Sequence, residues 1–226
     1  MGATHRATTT AGLVDQLIVG IAARSHGVTT RAELLAVGVS HRSIEHRVAN
    51  GVLEVAHRGV YVTSALRTER TGLAAATKAV TGSAVARATA GVLHGFSWER
   101  WLARQGWHIV GPNGAALRDR RVTTHQTRYL PDHHRVRVDD LVVTTPERTI
   151  CDLAASISPA RLNEFVEHQL VERRVDLDGL LACHLEMARR GRAGTQALRD
   201  VLNGFADPRD FPQSVLELAV QERLVR

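Results

Sequence analysis

The sequence predicts an α+β protein: a small N-terminal module of helices and a β-ribbon, then a larger mixed region with a small antiparallel sheet and several helices. Three observations carry this. Apolar residues recur at helical spacing from Gly12 to Ala22, and two capped helical segments with a pair of β-prone runs fill residues 28–62. Four short β-prone runs over 107–144 then give way to helical periods that continue to Phe205. With 226 residues, 44% hydrophobic and 23% charged, the chain is globular and long enough for one large or two small domains.

Residues 1–11 are polar and Thr-rich and are expected to form a flexible tail. From Gly12, the residues Val14, Leu17, Ile18, Ile21 and Ala22 share a helical face, so a supporting helix is predicted to end near Gly27. Thr30 and Glu33 then have the T-x-x-E spacing of a capping box, which starts a helix at Arg31. Gly38 ends it, Ser40 offers a second N-cap, and a second helix runs from His41 to about Asn50 before Gly51 stops it.

In that second helix Ile44 and Val48 share one face, so Arg42 and His46 lie nearly opposite, flanked by Ser43, Glu45 and Asn50. A polar outward face of this kind suits hydrogen bonding to base edges. Arg47 lies nearer the seam, within reach of phosphates. Val52–Val55 and Val60–Val62 are β-prone runs joined by Ala56-His57-Arg58-Gly59, a ribbon with a basic tip. The order of cap, short helix, glycine turn, cap, polar-faced helix, glycine stop and basic hairpin is that of a winged helix-turn-helix over residues 12–64. The expected DNA-contacting set is Arg31, His41, Arg42, Ser43, His46, Arg47, Asn50, His57 and Arg58 on double-stranded operator DNA. The alternative is an ordinary helical hairpin with a solvated polar face.

Beyond the ribbon, Ser64–Val80 and Ser83–Gly95 read as helices. Trp107–Val110, Val122–Tyr129, Val136–Val138 and Leu141–Thr144 read as strands of a small antiparallel sheet. Thr145-Pro146-Glu147 is a helix start with a cap, proline at the first position and an acid in the first turn. Arg148 and Asp152 fall four apart and can pair. Further helices are predicted over 160–173, 177–190 and 195–205. Residues 65–205 are thus expected to make an α+β domain.

The net charge of +6, carried by arginine with Lys78 as the only lysine, favours a polyanionic partner. Cys151 and Cys183 are too few for a disulfide framework or a zinc quartet, and Cys151 reads as inert filler. His125, Asp132, His133 and His134 lack the ligand spacing of a zinc site, and His94 stands at a helix end where capping or packing is the usual role. No catalytic, metal or cofactor set is read, and an enzyme is not expected. The N-terminus has no signal-peptide core and no apolar run spans a membrane, so a cytoplasmic protein is expected.

Gly27-Val28, Gly38-Val39-Ser40, Ile44 to Val48, Gly51 and His57-Arg58-Gly59-Val60-Tyr61 together resemble the N-terminal winged-helix domain of AbiEi-type antitoxins, of the type IV toxin-antitoxin systems. The ARATAGVLHGF and TPERTICDLAA stretches resemble later segments of the same proteins, the second through its T-x-x-R-T-x-x-D-L-A pattern. The resemblance implies a domain that binds and represses its own promoter, paired with a nucleotidyltransferase-like toxin of the AbiEii type; a homodimer is also considered. Residues 206–226 read as a linker and a helix whose S-x-L-E arrangement resembles the opening of the very-short-patch-repair-like endonuclease domain of longer relatives. In that fold the metal-binding Asp and E-x-K pair lie on later strands, so cleavage by that chemistry is not expected of residues 1–226. A remnant or split nuclease is therefore the rival reading, and a pure protein-interaction module a second.

Overall fold

The protein is described by a computed structural model covering residues 2–188 and 192–205. Its contacts divide it into two compact units: one holds the described residues to Val85 and Gly106–Val143, the other Ala86–Gln105 and the described residues from Thr144 onward.

The first unit opens with α1, Gly2–Ala22. The helix begins ten residues before the expected start, and the flexible tail is not found over residues 2–11. No proline interrupts this segment, so a helix nucleated by the packed turns beyond Gly12 propagates backwards at little cost. β1 (Val28–Thr30), α2 (Arg31–Ala36), α3 (His41–Ala49), β2 (Glu54–His57) and β3 (Val60–Val62) follow. The strands form an antiparallel sheet in the order β1-β3-β2, with Val28 opposite Val62 and Val55 opposite Tyr61. This is the winged-helix arrangement the sequence predicts, with Ile18, Leu34, Val39, Ile44, Leu53 and Tyr61 as its core.

Both helix starts are as read. Thr30 Oγ1 accepts from the Glu33 amide at 3.1 Å while Glu33 Oε2 accepts from the Thr30 amide at 2.7 Å. Ser40 Oγ accepts from the Ser43 amide at 3.2 Å. The ribbon differs in register: β2 starts at Glu54 rather than Val52, a bulge follows Val55, and the turn shortens to Arg58-Gly59. β1 was not expected, being too short to show alternation.

α4 (Thr71–Ala79) begins later than predicted because Ser64–Leu66 forms a single 3₁₀ turn. Its buried Leu73–Ala76 stretch packs on β1, β2 and β3 and also on β4 and β5. β4 (Ala84–Val85), β5 (Trp107–Pro112), β6 (Val122–Thr127), β7 (Arg135–Val138) and β8 (Leu141–Thr144) make a second sheet in the order β6-β5-β4-β8-β7. β4 is antiparallel to β5, and β7 and β8 form a hairpin closed by Asp139 and Asp140, both at positive φ. The pairs β5–β6 and β4–β8 run parallel, so this second sheet is mixed. Since α4 serves both sheets, the contacts place the strands with the winged helix, where a boundary near residue 64 had been expected.

The second unit is helical: α5 (Arg87–Leu93), α6 (Glu99–Ala103), α7 (Pro146–Leu153), α8 (Pro159–Val171), α9 (Leu177–Met187) and α10 (Thr195–Phe205). The helix expected over 83–95 is split, its first residues having become β4 and Arg87 having taken a left-handed φ of 52°. Phe96, Leu102, Ile150, Leu153, Leu162, Phe165 and Leu180 fill the core. Phe96 meets Phe165 edge-on with ring centres 6.0 Å apart. The expected linker and nuclease-like helix over 206–226 lie outside the described residues. Among the described residues no helix is long and apolar enough to cross a membrane.

Gly27 has φ +81° and a Cβ there would stand 2.7 Å from the Leu66 carbonyl oxygen, whereas Gly38 has φ +85° and open space before it. Gly27→Ala should therefore lower the unfolding free energy by more than the ~1 kcal/mol of backbone strain expected for Gly38→Ala, and equal denaturant midpoints would refute the close approach. In the second unit, burial first, then Arg199 and Arg192, hold buried His184 down at about 4 from 6.5. The fold favours its neutral ring, so this contribution is full above pH 6.5 and is lost as pH falls towards 4, by on the order of 3 kcal/mol. His184→Phe should flatten that acid limb in urea titrations at stepped pH.

Candidate nucleic-acid interface

The face of α3 opposite buried Ile44 carries exposed Arg42, Glu45, His46 and Asn50. The Asn50 side-chain nitrogen lies 2.9 Å from His46 Nε2, one turn along the same face. These two side chains therefore present a joined polar edge, with Arg42 one turn nearer the helix N-terminus.

The ribbon and the helices meet at Arg31. Its amide donates to the Gly59 carbonyl at 2.8 Å, its Nε donates to Tyr61 Oη at 3.1 Å, and its Nη1 lies 3.4 Å from His41 Nδ1. One residue at the start of α2 thus ties the ribbon turn to the first residue of α3. Arg31, His41 and the turn bearing exposed Arg58 are brought together, with Arg42 next in sequence to His41.

Three residues of the expected set are placed differently. Arg47 is only 8% exposed: its Nε donates to Asp15 Oδ1 of α1 at 2.7 Å and its Nη1 to the Ser43 carbonyl at 3.2 Å. It follows Ile44 by three residues and precedes Val48 by one, which turns it towards α1 rather than outward. It is a fastening of α3 to α1, and the buried guanidinium does not stand where the expected phosphate contact would need it. Ser43 is half-buried and its hydroxyl is taken up by the same guanidinium, so it is not displayed to a ligand. His57 is half-buried within β2, not at the tip.

Sequence reasoning missed the loop between β5 and β6. Asp119 there lies within electrostatic range of His57 in β2. Arg121 engages both Asp119 oxygens, at 2.9 and 3.1 Å, and this pairing holds the carboxyl down at about 2. Exposed Arg118, Arg120 and Arg121 therefore flank an acid that is already neutralised, beside the ribbon. An electrostatic relation between residues some sixty positions apart leaves no local pattern to read.

The remaining chemical candidates have structural partners. His94 Nε2 lies 2.7 Å from the Thr144 carbonyl oxygen and its ring packs on Phe96, and burial first lowers its pKa. Cys151 is buried with Cys183 Sγ at 3.9 Å; that thiol contact and burial push its pKa well up, which keeps the thiol protonated. His125 stacks on His108, its Nε2 2.8 Å from His108 Nδ1. Arg135 donates to the Leu130 carbonyl and Arg137 to Asp140.

Residues 16–63 match the family described as transcriptional regulator, AbiEi antitoxin. The AbiEi match starts within α1 and ends just past β3, so it coincides with the supporting helix, the two capped helices and the ribbon. It supports a DNA-binding regulator of the antitoxin kind in general terms. No curated protein matches the chain significantly.

If Arg47 fastens α3 to α1, Arg47→Ala should lower the urea midpoint by the equivalent of about 1–2 kcal/mol, and Asp15→Asn by less, since Asp15 is half-exposed. An unchanged midpoint in Arg47→Ala would return this arginine to the list of surface contacts.

Proposed function

We propose that this chain is a sequence-specific DNA-binding transcriptional repressor of its own promoter, acting in the cytoplasm as the AbiEi-like antitoxin of a type IV toxin-antitoxin system. The observation that supports it most is the coincidence of the AbiEi match with a head that turns the polar face of α3 outward and ties the ribbon turn to Arg31. In this reading α3 enters the major groove, with Arg42 at a guanine edge and the His46–Asn50 pair at the neighbouring base. Arg58, with Arg31 and His41 behind it, meets the phosphate backbone or the minor groove. Arg118 and Arg120 of the β5–β6 loop extend the basic surface. The proposed partners are duplex operator DNA, a nucleotidyltransferase-like toxin and a second copy of the chain; no catalytic step is assigned to this protein.

The reading is tested by shift assays on the upstream DNA of the gene at several salt concentrations. Arg42→Ala should weaken binding and relax preference at one base pair by ~1–3 kcal/mol, while Arg58→Ala should weaken all sequences alike and reduce the salt slope by about one. Wild-type binding by both variants would overturn the docking, and wild-type protein that binds its own upstream DNA no better than random duplex would overturn the repressor.

A further inference from the structure

Helices α7 and α9 bring three soft sulfur atoms together in the core of the second unit. Cys183 and Met187 lie four residues apart on α9, one turn above the other on the same face, and their sulfurs stand 3.7 Å apart. Cys151, on α7, reaches across to Cys183 with 3.9 Å between the two Sγ atoms. Cys151 is 5% exposed, Cys183 7% and Met187 3%, so all three sit within the apolar cluster. Packing alone does not require sulfur at any of these positions, and the repressor reading uses none of them.

The separations are those of sulfurs that share one metal ion. With metal–sulfur bonds of ~2.3 Å set ~110–120° apart, two ligand sulfurs stand ~3.8–4.0 Å from each other. Cys183 thus has one neighbour at ligand distance on its own helix and one on α7, and an ion between them takes the space left by the thiol hydrogens. The donor set selects the ion. Calcium and magnesium need oxygen ligands, and structural zinc takes four ligands drawn from thiolate, imidazole and carboxylate. Two thiolates with a thioether suit a soft cation, of which Cu(I) is the biological example. Arg192, whose Nη2 donates to Asp152 Oδ1 at 2.5 Å, favours the thiolate of Cys151 from nearby, against the opposing charge of Asp152.

We propose that Cys151, Cys183 and Met187 form a binding site for Cu(I), which fastens α7 to α9. Binding forms one bond from copper to each Sγ, breaks both S–H bonds and sends the two protons to solvent; the Met187 thioether adds a lone pair, and nothing is oxidised or reduced. The thiol contact and burial raise the Cys151 pKa, so the protons are in place before copper arrives and affinity climbs as pH rises. This site is independent of the winged helix, and its failure would leave the repressor reading as it stands.

The test uses the full chain, reduced and kept free of oxygen, with Cu(I) supplied as its coloured bicinchoninate complex. The protein should withdraw one copper per chain, release two protons for each ion bound, and unfold at a higher temperature; zinc sulfate at the same concentration should not raise that midpoint. Cys151→Ser and Cys183→Ser should each lose more than the ~10–100-fold in affinity that a change outside the ligand set costs. Met187→Leu conserves core volume, so its copper-free midpoint should stay near that of wild type while copper affinity falls about tenfold or more. X-ray absorption at the copper edge should count three sulfur neighbours in wild type and two in Met187→Leu. If the serine variants fail to fold, the Met187→Leu comparison decides. Failure to withdraw copper, binding undiminished in the serine variants and so carried by surface histidines, or wild-type affinity in Met187→Leu would overturn the site.

Discussion

The carboxylate of Glu33 is the tie on which the first unit depends. One oxygen accepts from the Thr30 amide at 2.7 Å and the other from Lys78 Nζ, on α4, at 2.5 Å. Burial alone would raise the pKa of this acid. The hydrogen bond from Lys78 and that from the Thr30 backbone outweigh it and keep the group ionised. Thr30 is also the last residue of β1, opposite Val60 in β3, so a single side chain fixes where the sheet ends, where α2 starts and where α4 lies against them. Arg31, the next residue, inherits its position from that cap. The placement of the ribbon turn and of His41 follows from it.

The head was largely legible because its signals are local. A capping box needs four residues and a recognition-type helix needs one apolar face, and both are visible in a short stretch of sequence. Arg47 was not legible in the same way. Its helical angle lies at the edge of the buried face, and whether it turns out to solvent or in to a partner depends on Asp15, thirty-two residues earlier. The same limit hid Tyr61, whose hydroxyl orients Arg31, and the β5–β6 loop beside the ribbon. β1 and β4 have three and two residues, too few for the alternation that identifies a strand, and the parallel pairing of β5 with β6 is a property of the whole sheet.

In the second unit the i, i+4 relation of Arg148 and Asp152 could be read from spacing, and the structure places the two side chains in contact. What spacing could not show is that the pair is buried or that Arg192, forty residues on, claims the second oxygen. Composition suggested a basic surface; the three-dimensional arrangement instead gathers guanidiniums around a single interior acid. The two cysteines are a similar case, since their burial side by side, thirty-two residues apart in sequence, leaves no local mark.

The bond from the Arg31 amide to the Gly59 carbonyl has a mechanical meaning. The ribbon turn is not a free flap but is pinned to the first turn of α2, so the turn and the helical hairpin form one stiff jaw of fixed gape. A double helix gripped by such a jaw would have to supply the bending or groove widening itself. Sequences that deform easily at the right step would then be favoured even where no side chain touches a base.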